Sequence, residues 1–87
     1  MPDLIASNKV LIEKHYKAGH LFLIEMPVNM LVVFCYTEKD EQEPIYSRAF
    51  FHSEKNKNEV LKQARLIFNK IKDCLIKRKL QLIEELE

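Results

Sequence analysis

The side chains that could do chemistry are three histidines (His15, His20, His52), two cysteines (Cys35, Cys74) and a run of cations late in the chain. A metal centre shows in sequence as ligands at short fixed spacings. His15 and His20 stand five apart across Gly19, which is not the spacing that stacks two ligands on one helix face. The other ligand types are scattered, so the expectation is no bound metal, with histidines exposed or locally hydrogen-bonded. Cys35, in "VVFCYTE", has neither an adjacent cation nor a helix N-terminus to stabilise a thiolate. There is no CxxC pair, and both cysteines sit among apolar neighbours, so they read as buried, reduced thiols of a cytoplasmic protein. The carboxylates of "TEKDEQE" and "EELE" lack the apolar setting that raises a carboxyl pKa for acid–base work. A single glycine excludes glycine-rich phosphate loops. The chain is therefore expected not to be an enzyme and to carry no cofactor, and no small-molecule substrate is evident.

The cations are the more pointed signal. The formal net charge is only +1, but residues 55–79 hold nine Lys or Arg against Glu59 and Asp73. Lys55, Lys57, Lys62, Arg65, Lys72 and Lys79 are the candidates for contacting nucleic-acid phosphates. Lys62, Arg65, Lys72 and Lys79 form a rough stripe on a helix. Against this stands the ordinary reading of such a run, a solvated helix face.

The elements that would position these groups follow from hydrophobic period. The chain has 87 residues, which bounds it to one domain, residues 1–87. "HLFLIEMPVNMLVVFCY", residues 20–36, is its most apolar stretch. It is too short and too interrupted, by Glu25, Pro27 and Asn29, to cross a membrane. Pro27 breaks a helix, and the β-formers on its far side favour strands. Two strands over 20–26 and 30–37 are expected, joined at Pro27-Val28-Asn29, with Asn29 tolerant of a left-handed conformation. The second is apolar on both faces, as in a strand covered on both sides. "IYSRAFF", residues 45–51, is a third strand, completing an antiparallel meander. Ahead of the sheet, Leu4, Leu11, Ile12 and Tyr16 share a helical stripe between Asp3 and Gly19, which predicts a helix over 3–18. The N-terminus has no basic start followed by a long apolar run, so no signal peptide is expected.

After the sheet, Val60, Leu61, Ala64, Ile67, Phe68, Ile71, Cys74 and Leu75 cover one arc of about 140°. Asn56 followed by Glu59 resembles a capping box, with Ser53 as a second cap. A helix over 56–86 is expected, either continuous or broken near 77–79. Ile76, Leu80 and Ile83 lie on a second arc about 130° from the first, and Leu86 continues the first arc. A continuous helix of that length would run about 48 Å and overhang a three-stranded sheet. The fold class is thus α+β, in the order α-β-β-β-α. Ile76, Leu80, Ile83 and Leu86 are the candidate protein-interface residues, with a homodimer or another protein as the partner.

The expected order, helix–three strands–helix, is similar to that of double-stranded-RNA-binding domains. "SEKNKNEVLKQA" resembles the start of their last helix, where lysines contact phosphates across a groove; Lys55, Lys57 and Lys62 are the matching positions. The resemblance is topological and spans roughly residues 3–75. "MPVNM" has no counterpart of the family's glycine- and proline-containing loop with a histidine, the lysine pair is not contiguous, and an alanine-rich helix face is replaced by Val60, Leu61, Ile67 and Phe68. The leading expectation is a small non-catalytic binding or regulatory protein acting through protein contact, with nucleic-acid binding as the alternative.

Overall fold

The computed structural model describes residues 8–37 and 44–78. Strands β1 (Lys9–His15), β2 (His20–Met26), β3 (Met30–Tyr36) and β4 (Tyr46–Phe51) form one antiparallel sheet in chain order, and helix α1 (Lys57–Ile76) follows them. The class is α+β, with four strands among the described residues where three were expected.

The difference is at the N-terminal side. No helix spans residues 3–18: residues 9–15 are β1, and residues 3–7 lie outside the described part. A β-bulge explains why the spacing imitated a helix. The register between β1 and β2 shifts between Val10 and Ile12. A bulge re-aims side chains, so neighbours need not alternate. Leu11, Ile12 and Tyr16 all pack against the same core as a result. Gly19 does not end a helix either. It closes a tight hairpin, where Tyr16 N–H donates to Gly19 O at 2.9 Å and Gly19 N–H donates back to Tyr16 O at 3.3 Å. Its φ is not positive. Glycine is needed here for close approach, because a Cβ would lie 2.5 Å from the Tyr36 carbonyl oxygen and 3.2 Å from Leu75 Cδ2.

The β2–β3 connection is Pro27-Val28-Asn29, with Met26 paired to Met30 across it. Asn29 takes φ 58°, and so, at φ 62°, does the β-branched Val28.

Alternation divides the sheet into two apolar faces. On one, Leu21, Leu23, Leu31, Val33, Cys35, Tyr46 and Phe50 meet Val60, Ala64, Phe68, Ile71, Cys74 and Leu75 of α1. On the other, Phe22, Ile24, Val32, Phe34 and Tyr36 form a second buried cluster. There Phe22 stacks on Phe34 at 5.1 Å, and Phe34 meets Tyr36 edge-on at 5.4 Å. Among the described residues α1 is the one helix, and it lies on the first face.

Asn56 occupies the N-cap position of α1, but its side chain makes no cap hydrogen bond, so the expected capping box does not form. Asn56 Oδ1 instead turns back and accepts from Ser53 N–H at 2.6 Å and Ser53 Oγ–H at 3.0 Å. At the other end Lys77 N–H donates to Asp73 O, Arg78 N–H donates to Leu75 O, and Arg78 takes φ 56°. Residues 79–87 lie outside the described part. No helix among the described residues is long and apolar enough to cross a membrane.

Candidate binding surface on helix α1

Packing on the sheet fixes the rotation of α1. With Val60, Ala64, Phe68, Ile71 and Leu75 turned inward, a 100° step per residue turns Lys62, Arg65, Leu66, Asn69, Asp73 and Ile76 outward. The outward positions are exposed. Two of them are large and apolar: Leu66 is 62% exposed and Ile76 57%. Lys62 and Arg65 form no ion pair among the described residues, and neither do Lys70, Lys72 and Lys77. The face therefore offers unpaired cations, with the exposed Asp73 carboxylate among them, around two apolar side chains.

The individual candidates are distributed unevenly. Lys55 is exposed and precedes the helix. Lys57 is not available in the same way, because its Nζ donates to Glu25 Oε1 and ties the start of α1 to β2. That hydrogen bond holds the Glu25 carboxyl below its usual range. Lys62 and Arg65 lie together on the outward face, and Lys72 sits half-buried on its flank. Ile76 is exposed at the last turn, while Lys79, Leu80, Ile83 and Leu86 fall outside the described residues. The topological likeness to double-stranded-RNA-binding domains does not hold, because β1 stands where that order requires a helix.

Leu66 was not singled out from sequence. It follows Arg65 and precedes the core residues Ile67 and Phe68, so it reads as part of an apolar run. Placing it at 100° per residue puts it nearly opposite the core arc, which is the signal that marks it.

Cys35 and Cys74 are free and buried, and burial, with Cys74 nearby as the lesser cause, pushes the Cys35 thiol up to about 12. Burial likewise raises the Tyr36 phenol. At the far end of the sheet an open cleft of about 300 Å³ lies between the Pro27-Val28-Asn29 turn, His52 and the Glu25–Lys57 pair. His52 Nδ1–H donates to Ser53 O at 3.0 Å, leaving a buried Nε2 without a partner. Val28 and Phe51 are exposed at this same end, 82% and 71%. No group of three or more His, Cys, Asp or Glu among the described residues is arranged to hold a metal ion. His15 and His20, separate in sequence, are nevertheless brought side by side across β1 and β2.

No protein-family model matches the chain, and no curated protein or solved structure matches it.

Proposed function

We propose that the chain is a small non-catalytic binding module that docks an acidic protein surface on the outward face of α1. The observation that carries this reading is the combination of exposed Leu66 and Ile76 with unpaired Lys62 and Arg65 on one helix face. Apolar side chains supply contact energy, on the order of 1.5–3 kcal/mol for each one fully buried. The surrounding cations steer an acidic partner and reject a basic one. A second copy is the poorer occupant of this face, because it brings the same cations to the contact. Self-association through the arc that begins at Ile76 is the competing form of the same reading, and solution mass by light scattering separates the two.

The test is a pair of variants made on opposite principles. Leu66→Asp/Ile76→Asp removes the apolar contact, and Lys62→Glu/Arg65→Glu reverses the charge. Both sets of positions are exposed, so both variants should keep the circular dichroism of the wild type. The reading expects each variant to lose a partner captured by the wild type and titrated in purified form. Partner affinity unchanged in both would rule it out.

A nucleic-acid reading is favoured by the unpaired cations alone. It expects affinity for a labelled duplex to fall steeply with salt, with a log–log slope of about −0.9 per phosphate neutralised. It also expects Leu66→Asp to matter far less than Lys62→Glu. Absent binding, or binding indifferent to salt, removes it.

A further inference from the structure

We infer that His15 and His20 form a two-imidazole site for a divalent transition-metal ion of the nickel or copper type, apart from the α1 surface. The two residues are direct partners across β1 and β2. Their Nδ1 atoms stand 2.8 Å apart. One imidazole must donate and the other accept at that distance. His15 Nε2 faces Glu13 Oε2 at 3.3 Å, which places the His15 proton on Nε2 and leaves its Nδ1 as a lone pair. His20 Nδ1–H is then the donor.

The two ring nitrogens that share this proton are close enough to become two ligands of one ion. Moving the His20 proton to Nε2 gives two neutral imidazoles with neighbouring Nδ1 lone pairs and no change of net charge. At metal–nitrogen bonds of about 2.0–2.1 Å, two adjacent ligands at right angles lie about 2.9 Å apart, whereas tetrahedral ligands lie about 3.3 Å apart. The 2.8 Å between the Nδ1 atoms is a hydrogen-bond length, and opening it by about 0.1 Å reaches the first spacing, that of tetragonal Ni2+ and Cu2+ sites. Each ring must turn its lone pair about 45° off the line between the two nitrogens to aim it at a shared ion. The His15 side chain is 54% exposed and has room to do so. Water fills the remaining positions.

Two further features prepare the site. Glu13 is the outer carboxylate that orients a ligating histidine. Phe22 meets the His15 ring edge-on at 5.7 Å and forms one wall beside it. Both ligands sit beside the tight turn at residues 16–19, so an ion there would pin the edge strand β1 to β2. Spacing alone had argued against the pair. Five residues apart is wrong for a helix, but across a short hairpin it places two side chains opposite each other.

Titration of Ni2+ into the chain, carrying no histidine tag, tests this by calorimetry and by thermal unfolding. One ion per chain is expected, with a melting temperature that rises with Ni2+. His15→Ala and His20→Ala should each abolish the heat and the thermal shift, Glu13→Gln should weaken affinity about 10-fold, and His52→Ala should leave it unchanged. The substituted side chains are at the exposed end of the hairpin, and circular dichroism confirms folding of each variant. No Ni2+ binding to the wild type, binding that survives the His15→Ala/His20→Ala double substitution, or equal binding of Mg2+ would overturn the assignment.

Discussion

Val28 is the residue whose replacement should stabilise the chain most simply. It holds φ 62° in the β2–β3 turn, a conformation that costs an L residue about 1–2 kcal/mol and suits a β-branched one least. It is also 82% exposed, so little packing is lost when the side chain changes. Asparagine tolerates this conformation, as Asn29 does beside it. Val28→Asn should therefore raise unfolding stability by about 1 kcal/mol. For a domain of this size that is a rise of about 4–8 °C in melting temperature. With a urea m-value of about 1 kcal/mol per M, the midpoint should rise by about 1 M. Val28→Gly relieves the same strain but loosens the unfolded chain, which takes back about 0.5–1 kcal/mol. The expected order of urea midpoints is Asn, then Gly, then wild type, at a constant m-value. A Val28→Asn protein no more stable than wild type, with m unchanged, would refute the reasoning from backbone strain.

Gly19→Ala should destabilise by about 1–3 kcal/mol, measured by urea unfolding, because its Cβ would meet the Tyr36 carbonyl oxygen at 2.5 Å. Glu25→Gln should lower stability at neutral pH. The Glu25 carboxyl is held below its ordinary value by Lys57, so its contribution is present above that value and lost as pH falls through the lowered one; the two proteins should converge in acid. Cys35 and Cys74 should resist alkylation in the native chain and react only on unfolding, as burial of both and the raised Cys35 thiol require, which mass spectrometry after timed iodoacetamide labelling reads directly.

The parts of the fold legible in sequence were those where alternation and period act undisturbed. The apolar runs either side of Pro27 are β2 and β3, and both faces of β3 are buried. The inward residues of α1 follow the helical arc from Val60 to Leu75. What misled was local. The bulge at Val10–Ile12 sends Leu11 and Ile12 to the same core, and with Tyr16 in the turn after β1 they reproduce a helical stripe. Gly19 fitted a helix terminus equally well, since close approach to Tyr36 depends on a strand brought near only by the sheet. The cationic surface was visible as composition, but the loss of Lys57 to Glu25 depends on β2 lying under the start of α1. The His15–His20 contact was hidden for the same reason as β1, because it exists only in the hairpin.

The most direct test of the docking surface is photo-crosslinking from Asn69, which sits on the outward face among the cations and is exposed. A photoreactive residue placed there in living cells, compared with one at Ala49 on the exposed outer strand β4, reports what touches each face. The account predicts a discrete protein adduct at position 69, absent at position 49 and lost when Lys62→Glu/Arg65→Glu is added. Adducts equal at both positions, or an adduct at position 69 made with nucleic acid instead of protein, would contradict it.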